Sequence, residues 1–299
     1  MNKPANLVCG STVGLVSPAG AVRNVAALHA TVALLHDWGF NVRLAPHALT
    51  QEGYYSASTA GRARDILSFI NDDEIAAILC TYGGYGCVHI ADEFYTAIKK
   101  HPKWIIGMSD CCVLHAACLR AEVMSLHSPQ CTQLSAQPGG AAAECLRSML
   151  SGNAPRCTVE PHPLNIQGVA QGRLVGGNLS VLCSLLRTPY DIFKPGTILF
   201  IEDVSEPAHR IERMMHTLRL AGVLAELRGL LVGCFHHCPE NIALGGDIYH
   251  LIYNIISEYH IPVCFGFPVG HGAANIPLIE GAQAELTVTA SGVSLEYFA

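Results

Sequence analysis

Short apolar runs that each end in glycine or polar residues recur along this chain, and stretches with helical spacing separate them. Val13-Gly-Leu-Val-Ser-Pro-Ala-Gly20 reads as a buried strand entering a turn. Asn24 to Trp38 has helical spacing and stops at Gly39, and Asn41 to Ala45 is a short strand. Ser56 or Ser58 caps a helix through Arg62, Ile66, Phe69 and Ile70. Ile75 to Cys80 is a strand that ends in Thr81-Tyr-Gly-Gly-Tyr-Gly86. Ile90 to Lys100 is a helix, and Trp104 to Ile106 is the next strand. Strand and helix in alternation predict a parallel sheet with crossover helices.

Ala141 to Leu150 is a further helix, after which Ser151-Gly-Asn-Ala-Pro155 and Pro161-His-Pro163 break the pattern. The expected division is an N-terminal α/β domain over 1–155, a linker over 156–167 and a smaller, more β-rich domain over 168–299. In the second half, Arg173 to Leu179 leads into a helix through Leu186. Strands are expected at Thr197–Ile201, Gly229–Phe235 and Val263–Phe267, and helices at Ala208–Gly222 and Asp247–Tyr259. Ala284–Thr289 and Val293–Tyr297 alternate like an antiparallel pair turning at Ser291-Gly292. The fold class is therefore α/β in two domains, the first with a parallel sheet and the second mixed.

Composition narrows the function classes. The chain has 299 residues, 50% hydrophobic and 14% charged, which is core-rich and unlike a disordered chain. A net charge of −6 gives no basic footprint for nucleic acid or for an acidic membrane surface. No window nears 18 uninterrupted apolar residues, and the N-terminus shows no signal-peptide pattern, so a cytoplasmic protein is expected. The 13 cysteines are odd in number and often sit in apolar segments, as Cys80, Cys183 and Cys264 do; buried reduced thiols are expected rather than a disulfide framework.

In open α/β sheets, sites gather beyond the carboxyl ends of strands. Four such ends carry chemistry here. Ser109 lies where the strand Trp104–Ile106 turns into a helix. There a hydroxyl can attack while the following N–H, at a helix start, steadies an oxyanion. The same position suits a plain N-cap serine. Only the leading glycine of a G-x-S-x-G elbow is present, as Gly107, and Cys111 stands at the second. His271, between Gly270 and Gly272, is a candidate base. Glu202, at the end of an apolar strand, can orient that imidazole, with Asp203 as its competitor. The Gly83-Gly84-Tyr85-Gly86 loop can supply a second oxyanion donor, but it lacks a phosphate-binding lysine and G-x-G-x-x-G spacing. His236-His237-Cys238 are adjacent rather than spaced for one metal. His115 reads as a partly buried helix histidine.

Taken together, these segments resemble the LD-carboxypeptidase family of serine peptidases, which also includes immunity peptidases acting on microcin C. The resemblance runs through Val13–Gly20, Ile78–Gly86, Ile106-Gly-Met-Ser-Asp110, Leu126-His-Ser-Pro129, Gly176-Gly-Asn-Leu179, Ile198–Val204 and Phe267–Asn275. It implies an N-terminal domain carrying the nucleophile, a C-terminal domain carrying acid and base, and a site at the cleft between them. Carried over, Ser109 is the nucleophile, Glu202 the acid and His271 the base. The backbone N–H groups of Asp110 and Gly84 form the oxyanion hole, and Tyr85 and Asn178 are substrate contacts. The implied substrate is a cytoplasmic murein tetrapeptide losing D-alanine, with no cofactor or metal and with a homodimer permitted. The chain departs from the family at Tyr82 (commonly Arg), Met108 (Tyr), Ser128 (Gly) and Glu212 (Asp). Two other expectations stand beside this one: an amidase on aminoacyl- or peptidyl-nucleotides, with Tyr82 or Tyr85 as aromatic platform, and a two-domain small-ligand binding protein without catalysis.

Overall fold

Apolar runs too short for helices become the strands of two sheets. The structure, a computed structural model, describes residues 1–298; Ala299, the end of the expected second domain, lies outside the described residues. The chain forms two compact units, Met1–Ala154 with Asn275–Gly281, and Pro155–Ala274 with the residues from Ala282 onward.

In the first unit β1 (Thr12–Val16), α1 (Val25–Asp37), β2 (Asn41–Leu44), α2 (Thr59–Ile70), β3 (Ile75–Cys80), α3 (Ala91–Lys100), β4 (Trp104–Gly107), α4 (Cys112–Arg120) and β5 (Ser125–His127) alternate, followed by α5 (Cys131–Ala136) and α6 (Ala141–Leu150). These five strands pair in parallel, in the order β5-β4-β3-β1-β2. Side chains start the helices where the sequence supplies acceptors: Asn24 Oδ1 accepts from Ala27 N–H at 3.0 Å, and Ser58 Oγ from Gly61 N–H at 3.2 Å. Ser56 is not the cap of α2; its hydroxyl donates to the Ser17 carbonyl at 2.6 Å.

The second unit contains β6 (Cys157–Val159), β7 (Gly168–Asn178), α7 (Leu179–Ser184), β8 (Thr197–Val204), α8 (Ala208–Leu220), α9 (Val223–Glu226), β9 (Gly229–His236), α10 (Ile248–Ile256) and β10 (Val263–Phe265). The chain then crosses back. β11 (Leu278–Glu280) joins the first sheet antiparallel to β5, before β12 (Gln283–Thr289) and β13 (Gly292–Phe298) complete the second. The second sheet runs β10-β9-β8-β7-β12-β13-β6; β7 to β10 are parallel, and β12, β13 and β6 antiparallel. The expected hairpin at Ser291-Gly292 is the β12–β13 turn.

Two features depart from the sequence reading. The segment expected as a linker carries β6, paired with β13, and Ile166 bridges Val263. The 11-residue β7 was expected only as a short lead into a helix. Its glycines weaken a strand signal, yet the fold uses them for close approach. A Cβ on Gly172 would lie 2.5 Å from the Gly196 carbonyl oxygen, and one on Gly176 would lie 2.1 Å from that of Phe200.

Apolar side chains of both sheets are fully buried, among them Leu15, Ile78 and Ile105 in the first and Ile198, Phe200 and Leu231 in the second. The cysteines are all free thiols, most of them buried or half-buried. Among the described residues no helix is long and apolar enough to cross a membrane.

Candidate active site

Ser109 follows β4 at the carboxyl edge of the first sheet. A 3-10 turn over Ser109–Cys111 leads from it into α4. Its φ is +62°, the left-handed region that serine seldom occupies, at a cost of about 1–3 kcal/mol. An N-cap serine has no need of this backbone, and neither the 3-10 turn nor α4 is closed by a side-chain cap. The strain instead turns the half-buried side chain toward the β3 loop, where it packs on Gly83. A Cβ built on Gly83 would lie 2.7 Å from Ser109 Cβ and 2.9 Å from its Oγ. Gly83 is therefore part of the site, although the sequence singled out Gly84 in that loop.

The loop is held from behind. The Gly83 carbonyl accepts from Gly20 N–H at 2.9 Å. In a trans peptide the N–H points opposite the C=O, so the Gly84 N–H faces away from Gly20. Gly84 has φ +93° and Gly86 +135°, both natural for glycine. The Asp110 carboxylate ties the two segments together, accepting from Cys87 N–H at 2.7 Å. Burial pushes Asp110 up to about 6, against the lowering effect of that hydrogen bond. The N–H of Asp110 is in the first turn of a helical segment, where amides have no intrahelical acceptor.

A fully buried arginine that the sequence reading passed over braces these turns. Arg62 donates from Nη1 to the carbonyls of Pro18 and Gly86 at 2.7 and 2.8 Å, and from Nε to Ala57 at 3.2 Å. Nη2 reaches Thr59 Oγ1 and His89 Nδ1, both at 3.2 Å. The Tyr55 ring lies 4.8 Å from its Cζ. Tyr85 is about half exposed and meets Tyr55 and His89 with centroids 6.4 and 5.2 Å apart. Its helical spacing before Phe69 made Arg62 look like part of an ordinary α2 face, and no sequence signal marked its burial.

In the second unit His271 and Glu202 form a pair. His271 Nδ1 meets Glu202 Oε2 at 2.6 Å, with the carboxylate fully buried and the imidazole 17% exposed. Gly270 makes the approach possible: at φ +119°, a Cβ there would lie 2.8 Å from both Cβ and Oε2 of Glu202. Burial works against the imidazolium, but the hydrogen bond and charge of Glu202, joined by the charge of Asp203, outweigh it. His271 is left above the ordinary histidine value.

Asp203, the competing acid, is engaged elsewhere. Its carboxylate accepts from Asn178 Nδ2, Ser180 N–H and Val204 N–H at 2.8–2.9 Å. Burial, with the neighbouring Glu202 charge adding to it, pushes Asp203 up to about 6. Asn178, expected as a substrate contact, is part of this arrangement. It is buried, caps α7 by accepting from Val181 N–H at 3.2 Å, and holds Asp203. His115 is fully buried rather than partly so, with Nε2 2.9 Å from the Gly107 carbonyl and Nδ1 2.9 Å from Ser125 Oγ. The His236 and His237 rings lie 4.0 Å apart, and no group of three metal-ligating side chains occurs among the described residues.

Comparison with known proteins agrees with this arrangement of elements. The LD-carboxypeptidase N-terminal domain matches residues 13–128, and the LD-carboxypeptidase C-terminal domain matches residues 171–286. The chain is 32% identical over 304 residues to a probable murein peptide carboxypeptidase of Bacillus subtilis, covering 98% of this chain and 94% of that one. It is 29% identical over 279 residues to the murein tetrapeptide carboxypeptidase of Pseudomonas aeruginosa, covering 88% and 89%. In fold it is similar to a muramoyltetrapeptide carboxypeptidase from Oxalobacter formigenes, with a TM-score of 0.87, 24% identity and coverage of 96% and 99%. The microcin C7 self-immunity protein gives a TM-score of 0.84 at 21% identity, with 99% of each chain covered. With both domain types matched in order along most of its length, the chain belongs to the LD-carboxypeptidase family.

Proposed function

We propose that this chain is a serine-type LD-carboxypeptidase that removes the terminal D-alanine of murein tetrapeptide, cutting the amide bond on the L-centre of its diamino acid. The relatives named for murein peptides, at 29–32% identity over most of both chains, support the substrate class. The likeness to microcin immunity proteins, at 20–21% identity, is one of fold and does not favour a nucleotide conjugate.

In this reading Ser109 is the nucleophile, His271 the general base and Glu202 the acid that orients it. Because Nδ1 of His271 is on Glu202, Nε2 is the nitrogen left to take the serine proton. Ser109 Oγ attacks the scissile carbonyl, and the oxyanion is received by the N–H groups of Asp110 and Gly84. The amine of D-alanine leaves with the proton from His271. Water, activated by the same imidazole, then hydrolyses the acyl-enzyme. Tyr85, about half exposed in the loop, is the proposed substrate contact. The proposed chemistry uses neither metal nor cofactor, and a cytoplasmic site of action belongs to the same proposal.

The observation that carries the reading is the left-handed backbone of Ser109, which a capping role does not require. Mass spectrometry of murein tetrapeptide after incubation with the purified chain tests the proposal. Loss of one alanine residue is expected; an unchanged peptide refutes it.

A further inference from the structure

Gln130 begins α5 in the first unit, directly after Pro129, and none of the roles above includes it. The side chain is more than nine-tenths buried. Its amide nitrogen and the Ser109 hydroxyl border the same spot: Gln130 Nε2 is 3.1 Å, and Ser109 Oγ 2.9 Å, from the position a Cβ on Gly83 would take. The amide is held in place from its own helix. Gln130 and Gln133 form a reciprocal capping box, with the Gln130 side chain on the Gln133 N–H and Gln133 Oε1 accepting from Gln130 N–H at 3.2 Å. Oε1 of Gln133 also accepts from Asn275 Nδ2 at 3.2 Å, so its position is fixed twice.

A planar amide with its oxygen toward the helix presents its NH2 on the opposite side, here toward Gly83 and Ser109. Nε2 can only donate. A fixed, buried donor beside an attacking oxygen is suited to charge that develops on the carbonyl under attack.

We propose that Gln130 Nε2 is a third, side-chain donor to the oxyanion, acting with the backbone N–H groups of Asp110 and Gly84. The proposal rests on the serine-peptidase reading given above. It makes Gln130 a catalytic residue whose bond is strongest when the carbonyl oxygen carries full charge, so its loss falls on kcat rather than KM.

The informative variant is Gln130→Glu. It keeps the volume and keeps an acceptor for the Gln133 N–H, but replaces the donor with a negative charge. Steady-state kinetics of D-alanine release from murein tetrapeptide at pH 8 are expected to show kcat reduced about 10²-fold or more, with KM changed less than threefold. Gln130→Ala should lose less, since it brings no repulsion, and the thermal midpoint of the Glu variant should stay within a few degrees of the parent. Wild-type kcat in Gln130→Glu overturns the proposal, and so does a raised KM at unchanged kcat, which marks ground-state binding. Turnover by the parent and none by Ser109→Ala leaves the serine reading standing in either case. A parent chain that leaves the tetrapeptide intact overturns both.

Discussion

Gly83→Ala separates the position of the proposed nucleophile from its chemistry. Gly83 does not have positive φ, so an alanine fits the backbone. What it meets is Ser109, with a Cβ at 2.7 Å from Ser109 Cβ and 2.9 Å from Oγ. Non-bonded carbons sit at about 3.5–4.0 Å, so relief needs a shift on the order of 1 Å. Gln130 Nε2, 3.1 Å from the new methyl, limits movement on that side, and Ser109 already sits in a strained region. A misplacement of about 1 Å in an attacking group costs on the order of 10²-fold in rate, or about 2.7 kcal/mol of barrier. Stability should change far less. Overpacking costs about 1–3 kcal/mol, and the lost freedom of the unfolded glycine returns about 0.4–1 kcal/mol. The assay is kcat/KM for D-alanine release from murein tetrapeptide, alongside thermal unfolding of the same preparation. A folded variant with parental kcat/KM would refute the placement of Ser109 against this loop.

Two further outcomes follow from the same geometry. As the proposed base His271 must be neutral to act, and Glu202 holds it above the usual histidine value, so the acid limb of kcat/KM should lie above pH ~6.5. In Glu202→Gln burial acts with only Asp203 opposing it, so the limb should move to lower pH while kcat falls on the order of 10³–10⁴-fold; a pH profile with an unmoved limb contradicts the pairing. Arg62→Lys offers three donors where the five polar groups on Arg62 now find partners, and orphaned buried acceptors cost about 1–3 kcal/mol each, so urea unfolding should show a loss of about 2–4 kcal/mol; a parental midpoint contradicts the bracing role.

Much of the fold could be read from periodicity because each strand is a short apolar run with a turn behind it. β3, β4, β8 and β9 are of this kind, and capping residues such as Asn24 and Asp247 mark helix starts directly. β7 was harder. Its glycines are there for backbone approach across the sheet, and that contact appears only when β8 lies beside it. β5, β6 and β11 have three residues each, too few for an alternating pattern to emerge.

The candidate site divides in the same way. Ser109, Glu202 and His271 stand near strand ends or between glycines, positions that local sequence marks out as candidates. The parallel register of β7 with β8 sets Asn178 opposite Glu202, next to Asp203, and only that register reveals the Asn178–Asp203 hydrogen bond. Gln130 and Arg62 lie against Gly83 and Gly86, residues distant in the chain, so their sequence surroundings carry no mark of them.

Ser109→Ala is the direct test of the nucleophile, measured as D-alanine released from murein tetrapeptide by parent and variant at equal folded concentration. The account predicts turnover by the parent and none above background by the variant, with matching unfolding curves. A folded Ser109→Ala chain that releases D-alanine near the parental rate contradicts it.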